Sequence, residues 1–254
     1  MTDMIDAALA GAKAALDIQE RAWVIGVAHL VDIPEIREFS EGETQLIIDL
    51  AQELADFPSG PVGYLPFDLE QELEEDYRLI TLTHPSAPHV EMKIGLGIAG
   101  FVAVGLTRGG YLGSADLVPS GLLVSDVESV MADVYTLTMT AAVHLGYLGP
   151  IDMAFVVSEE GPGAAPVFYV VDEVSGAPTP AHALEVPLDV VTHRTELTPE
   201  TTAPDILNDL AALAARFTAT VGSDPQLVEA RFAGEIGGPL DPIRVAQQRK
   251  AARD

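Results

Sequence analysis

The stretch YRLITLTHPSAPHVEMKIGLGIAGFVAVGLT, Tyr77–Thr107, holds three apolar runs separated by turn-forming residues. Tyr77 to Thr83 alternates apolar and polar residues, which is the pattern of a strand with one buried face. Val90 to Ile94 and Phe101 to Thr107 are two further candidate strands. Because only short turns connect them, the three runs predict antiparallel strands that neighbour one another in one sheet.

Four segments outside this block show the apolar periodicity of helices. They are Asp3–Glu20, Ser40–Phe57, Ser125–Leu145 and Thr202–Val221. Ser40 with Glu43, and Ser125 with Glu128, have the spacing of a capping box, in which each side chain accepts a hydrogen bond from the other residue's backbone amide. Gly146 supplies the expected C-terminal stop of the third helix.

Shorter apolar runs predict further strands at residues 21–28, Ile151–Val157, Pro166–Asp172 and Leu188–Thr192. The acidic segment Phe67–Asp76 is predicted to be a solvated loop. Together these segments predict an α+β fold, with a mostly antiparallel mixed sheet flanked by three to four long helices. A single domain is expected over residues 1–235, followed by an exposed C-terminal tail over residues 236–254.

The composition excludes several classes of site. The 254 residues include no cysteine, so disulfides, thiolate zinc sites and cysteine nucleophiles are ruled out. The acidic start of the chain, Met1–Asp6, is unlike a signal peptide, and the longest strongly apolar run, Ile94–Leu106, is too short to span a bilayer. These features predict a cytoplasmic protein without membrane contact. The net charge of −26 repels polyanions, so no direct nucleic-acid binding is expected.

The segment Gly109–Thr192 contains no lysine or arginine, and the gap ends only at Arg194. It holds eleven acids: Asp116, Asp126, Glu128, Asp133, Asp152, Glu159, Glu160, Asp172, Glu173, Glu185 and Asp189. A site for phosphate, nucleic acid or anionic lipid needs cationic side chains, which this segment lacks. The pattern favours a surface that docks a basic face of another protein.

Gly95, Gly97 and Gly100 have the spacing G-x-G-x-x-G. In a dinucleotide-binding site these glycines lie on a turn from a strand into a helix, so that the pyrophosphate meets the helix N-terminus. Here the following residues, Phe101–Leu106, have the composition of a strand. The alternative to a cofactor site is a glycine-rich pair of buried strands, and we expect no bound cofactor.

Asp76, Glu91 and Lys93 match the D…E-x-K pattern of metal-dependent nucleases. In such a site the two acids would hold Mg²⁺, and the lysine would position the attacking water. The alternative is a polar alternation on the exposed face of one strand.

His84, His89 and Glu91 could together offer two imidazoles and a carboxylate to a metal ion. Their alternative role is that of exposed residues in a turn. The remaining histidines stand alone and are predicted to be structural: His29, His144, His182 and His193.

The order of elements provides a resemblance to a known family. The residues that carry it are 21–28, Ala99–Val104, Tyr147–Asp152 and Val191–Arg194, within residues 15–235. This order resembles the C-terminal domain that follows the AlbA-type (Schlafen-like) DNA- or ATP-binding domain of actinobacterial proteins. Because the nucleic-acid-binding part of those proteins has no counterpart here, the resemblance implies no catalytic residue. It implies an accessory or sensing domain.

These observations favour a non-enzymatic binding or regulatory module that acts through protein contacts and forms a homo-oligomer. A DNA-mimic protein is a special case of this hypothesis. The competing hypotheses are a Mg²⁺-dependent nuclease that uses Asp76, Glu91 and Lys93, and a nucleotide-cofactor binder that uses the Gly95–Gly100 turn.

Overall fold

The computed structural model describes most of the chain up to residue 220. The described residues are 9–14, 22–33, 40–53, 68–73, 77–83, 91–97, 100–109, 112, 118, 120–159, 166–171, 177–183 and 190–220. The predicted tail, residues 236–254, lies outside them. Within these residues the fold consists of a large sheet, a small sheet and three long helices.

Seven antiparallel strands form the large sheet: β1 (Ala22–Leu30), β2 (Asp68–Leu73), β3 (Tyr77–Thr83), β4 (Glu91–Gly97), β5 (Phe101–Thr107), β7 (Gly149–Glu159) and β10 (Val191–Leu197). Their order across the sheet is β10-β7-β1-β5-β4-β3-β2. The three runs of Tyr77–Thr107 are neighbouring strands of this sheet, as predicted. β1 lies near its middle, because it pairs with both β5 and β7.

The remaining elements surround this sheet. β6 (Gly121–Leu123), β8 (Val167–Val171) and β9 (Pro178–Ala183) form the small sheet, in which β6 and β8 are parallel. The long helices are α1 (Glu41–Glu53), α2 (Val124–Leu145) and α3 (Ala203–Thr220), and residues 9–14 are also helical. The predicted α+β class, with a mostly antiparallel sheet, is confirmed.

The main core lies between one face of the large sheet and α2, which packs on β1 and β5. Nearly every side chain of α2 is buried, because α1, α3 and the small sheet cover the rest of the helix. Gly26 of β1 allows α2 to pack close to the sheet. A Cβ atom at this position would lie 2.7 Å from Val134 Cγ2 and 2.7 Å from Phe155 Cε1.

The opposite face of the sheet carries a second core. Leu9 and Ala12 of the N-terminal helical segment pack there with Trp23, Ile25 and Val27 of β1. β1 is therefore buried on both faces, which explains why its sequence is continuously apolar and does not alternate.

The structure corrects the prediction that residues 67–76 form a solvated loop. Asp68–Leu73 is the edge strand β2, paired with β3 through, for example, Glu70 and Thr81. The sequence DLEQEL does alternate leucines with polar residues over part of its length, but its acids gave it the composition of a loop. An edge strand tolerates such charge because only one of its sides is paired.

Two further boundaries differ from the predictions. The cap of α2 is not the pair Ser125 and Glu128, since the amide of Leu123 donates a hydrogen bond of 2.9 Å to the Asp126 carboxylate. The predicted strand Leu188–Thr192 is displaced, because β10 begins at Val191 and continues to Leu197. By contrast, the capping box of α1 is confirmed: the Ser40 amide lies 2.9 Å from a carboxylate oxygen of Glu43.

Candidate functional site

A cavity of about 480 Å³ opens where β10 ends and α3 begins, and Tyr135 and Met139 of α2 also line it. Four of its lining residues are acidic, namely Glu196, Glu200, Asp205 and Asp209, and none is a lysine or an arginine. Its other polar lining groups include threonine hydroxyls and the Tyr135 phenol. Among the described residues, the cavity therefore presents many hydrogen-bond acceptors and no lysine or arginine side chain.

Three elements meet at the inner end of this cavity through one carboxylate. The hydroxyl of Tyr135 on α2 donates a hydrogen bond of 2.5 Å to Asp209 Oδ2 on α3. Nε2 of His193 on β10 lies 3.2 Å from the same oxygen. The Thr195 side chain is also hydrogen-bonded there. Asp209 thus ties α2, α3 and β10 together.

Local structure explains why these side chains meet. Along β10 the exposure alternates, so that His193 and Thr195 are partly buried while Arg194 and Glu196 are exposed. On α3 the buried residues Ile206, Leu210 and Leu213 define the inward face. Asp209 lies at the border of that face, next to Leu210, so its carboxylate reaches the protein interior while 35% of its side chain remains exposed.

The hydrogen bonds set the charge of this group. Burial on its own would raise the pKa of Asp209, but hydrogen bonds from Tyr135, Thr195 and His193 outweigh it and hold the pKa below its usual value. The pKa of Tyr135 is raised, first by burial and then by its hydrogen bond to Asp209. At neutral pH the pair is therefore a carboxylate acceptor and a neutral phenol donor.

The outer rim of the cavity is built by two threonine-based turns. The Thr198 amide donates a hydrogen bond of 2.9 Å to Thr201 Oγ1. The Thr202 amide and hydroxyl donate to Asp205 Oδ2 at 2.9 and 2.6 Å, which caps the start of α3. These bonds lower the pKa of Asp205. The rim therefore adds a second ionised carboxylate that is fully open to solvent.

The chemistry of this lining suits a group that donates hydrogen bonds and carries positive charge. Within the part of the chain that the structure describes, no three His, Asp or Glu side chains are arranged to hold a metal ion. The imidazole of His193 contacts Asp209 and lies beside the Tyr135 ring, with ring centroids 6.3 Å apart. An ammonium or guanidinium group would meet the carboxylates of Glu200 and Asp205 at the rim.

The structure places two residues of the nuclease hypothesis side by side on β4. Lys93 Nζ lies 3.5 Å from Glu91 Oε1 and 5.9 Å from the centre of the Trp23 ring. The Lys93 side chain is only 10% exposed, so it packs into the second core instead of projecting into solvent. Asp76 lies outside the described residues. The nuclease hypothesis therefore stays a prediction.

The three glycines of the G-x-G-x-x-G spacing lie in a β-hairpin. Gly95 and Gly97 belong to β4, and Gly100 lies in the turn with a φ of 68°, which favours glycine. The turn leads into β5, which returns antiparallel to β4, and not into a helix. The strand-to-helix geometry that a dinucleotide site uses is therefore not formed at these residues.

The histidines fall into two groups. His84 and His89 of the predicted metal site lie outside the described residues, and His182 lies in β9. His144 Nε2 lies 3.0 Å from Glu43 Oε1 and links α2 to α1, which fits the predicted structural role.

The described acids of the acid-rich segment Gly109–Thr192 do not contribute to an exposed acidic surface. Four of its eleven acids have described side chains, and all four are buried: Asp126, Glu128, Asp133 and Asp152 are each no more than 5% exposed. The exposed carboxylates of the cavity come from later in the sequence, between residues 196 and 209. The composition gives the number of acids in a segment but does not tell whether their side chains are exposed.

No sequence pattern predicts the Tyr135–His193–Asp209 cluster. By sequence alone His193 is an isolated structural residue, and no motif includes Tyr135 or Asp209. Asp209 lies 16 residues from His193 and 74 residues from Tyr135, so no short motif joins them. The available signal was weak: a histidine in a strand, followed by a helix with a polar residue beside its apolar face.

Comparison with known proteins adds no relative from which function could be transferred. No protein-family model matches this chain, and no curated protein matches it either. Among the described helices, none combines the length and apolar character needed to cross a bilayer. The cavity and its chemistry are therefore the basis for inferring function.

Proposed function

We propose that this protein is a non-enzymatic binding module, and that the cavity beside α3 receives a basic segment of a partner protein. The observation that carries the proposal is the lining of the cavity, which among the described residues includes four acidic residues and no lysine or arginine. A volume of about 480 Å³ is within the range of sites that hold small groups, and fits one or two long side chains.

Two features favour arginine or lysine as the occupant. Glu200 and Asp205 are exposed at the rim, so an incoming side chain reaches them without first displacing protein contacts of the carboxylates to other elements. The floor is held in place by Tyr135 and Asp209 before any ligand arrives, which reduces the entropy lost on binding. The resemblance to an accessory or sensing domain points to the same class of function.

Binding of a labelled hexa-arginine peptide at about 0.15 M salt, followed by fluorescence anisotropy, tests the proposal. The cavity variant combines Glu200→Gln with Asp209→Asn. The matched control combines Glu41→Gln with Asp49→Asn on α1, where both side chains are exposed and the change in net charge is the same. We expect the cavity variant to weaken binding by about tenfold or more, and the control to change it by less than about twofold.

Equal weakening in the two variants would mean that the peptide responds only to net charge, and would contradict the proposal. If the replacement of Asp209 disturbs the fold, the single variant Glu200→Gln serves as the test, because the Glu200 side chain is exposed at the rim and its replacement leaves the interior unchanged. Spermidine is a second probe. If it raises the melting temperature while the peptide does not bind, the occupant is a small polyamine and the protein-contact proposal is wrong.

A further inference from the structure

The strand β10 forms one edge of the large sheet as described, and its free side can be identified from the hydrogen bonds. The amide of Val31 donates to the carbonyl of Pro150, so the backbone of Pro150 on β7 points toward β1. Because backbone direction alternates along a strand, Ile151 and Met153 point the other way, toward Thr195 and His193 of β10. The intervening residues of β10 therefore direct their backbone groups away from β7.

A second contact supports this assignment. Nη2 of Arg216 on α3 donates a hydrogen bond of 3.0 Å to the carbonyl of Thr192, at the start of β10. Thr192 thus has its outward carbonyl occupied from within the chain. Two residues further on, Arg194 and Glu196 also direct their backbone N–H and C=O groups outward. Both are exposed.

We propose that β10 pairs with β10 of a second copy of this chain, antiparallel and centred on Thr195. In this register each Arg194 lies opposite Glu196 of the other copy, and both are outward-facing, so each pair exchanges two backbone hydrogen bonds. The large sheet then continues across the two molecules. This surface belongs to the expected homo-oligomer, and it shares Thr195 and Glu196 with the lining of the cavity.

The charges of Arg194 and Glu196 favour a second copy of the chain as the partner, and they favour this register. Exposed edge strands usually carry charges that oppose pairing with other chains. On β10 the two charges are opposite in sign and two residues apart, so a twofold axis at Thr195 brings unlike charges together at both positions. An axis at Arg194 would instead place two arginines face to face.

The end of the pairing is also defined by existing contacts. The Thr198 amide already donates to Thr201 Oγ1, and the Thr192 carbonyl already accepts from Arg216. Both residues would meet each other in the proposed register, just beyond the Arg194–Glu196 pairs. The paired segment is therefore confined to the short span between them. A short span predicts a dimer that dissociates on dilution.

Sedimentation velocity on the full chain, over roughly 1 to 100 µM, measures this equilibrium. Arg194→Glu places two glutamates opposite each other at both positions, and Glu196→Arg places two arginines there. We expect each single variant to raise the dimer dissociation constant at least about tenfold. An equimolar mixture of the two variants should restore the dimer, since unlike charges then face each other again. Both variants keep a strongly negative net charge, so mixing creates no general attraction.

Arg194 also lies 3.6 Å from the buried carboxylate of Asp152, so its replacement could disturb the fold. Fluorescence of Trp23, the single tryptophan, checks this in each variant. If Arg194→Glu is unfolded, Glu196→Arg alone decides the result. A monomeric wild-type chain throughout this concentration range, or a Glu196→Arg dimer as tight as wild type, would overturn the proposal. Because Glu196 also lines the cavity, peptide binding is tested with the Glu200 and Asp209 variants and not with these.

Discussion

The hydrogen bond between Tyr135 and Asp209 gives the sharpest test of the site geometry. Asp209→Ala removes the acceptor of a hydroxyl whose residue has no exposed surface. A buried donor that loses its partner costs about 1–3 kcal/mol. Because 35% of the Asp209 side chain is exposed, water can replace part of this interaction, and we expect a loss of about 1.5 kcal/mol in unfolding free energy.

A double-mutant cycle isolates the pair from its surroundings. Tyr135→Phe removes the donor and leaves Asp209 with Thr195 and His193. In the Asp209→Ala background the same change should cost almost nothing, because the hydroxyl has already lost this carboxylate partner. We expect a coupling energy of about 1 kcal/mol, measured by urea unfolding with Trp23 fluorescence. A coupling energy below about 0.3 kcal/mol at pH 7 would refute the geometry described here.

The coupling should also depend on pH with a defined sign. The folded-state pKa of Asp209 is lowered, so its contribution to stability is fully present above the ordinary carboxyl pKa of about 3.9 and is lost as pH falls through the folded-state pKa. The coupling energy should therefore be constant from pH 7 to pH 5 and should decrease on further acidification. A coupling that increases in acid would show that Asp209 is not the ionised acceptor.

Two further substitutions test the packing of α2. Gly26→Ala should lower the free energy of unfolding by about 1–3 kcal/mol, measured by urea unfolding, because its methyl group would overlap Val134 and Phe155, which are both almost fully buried. An unchanged unfolding midpoint would mean that α2 is not held so close to β1. Arg108→Ala should lower the free energy of unfolding by about 3 kcal/mol, because the Arg108 guanidinium contacts both oxygens of the buried Asp126 carboxylate at 2.8 Å. A loss below about 1 kcal/mol would contradict this pairing.

The sequence predicts those elements whose signal lies within the element itself or in the residues that flank it. Tyr77–Thr83 and Phe101–Thr107 were predicted with the bounds that the structure has, because alternation or continuous apolar character and flanking turn residues are written within each segment. Gly146 likewise ends α2 as predicted. No local sequence pattern predicts that β1 lies between β5 and β7, because this position depends on pairing between strands that are distant in the sequence.

The site was harder to predict than the fold for the same physical reason. His193, Asp209 and Tyr135 come from a strand and two helices, and their contact exists only after α3 has packed against α2 and β10. The motifs that were visible in sequence, including Glu91 with Lys93, are pairs of near neighbours on one strand. Such pairs occur wherever polar residues alternate, so their spacing carries little information about chemistry.

The cavity and the proposed β10 pairing share Thr195, which lines the cavity and lies on the proposed twofold axis. An axis that relates paired strands of one continuous sheet stands perpendicular to that sheet, so both copies place α2 and α3 on the same side. The two acidic cavities would then open side by side, flanking the axis. A partner with two basic clusters could occupy both at once, and its second contact would form at a high effective concentration. Modest affinity at each cavity would then suffice for stable binding, which makes dimerisation part of how such a module recognises its partner.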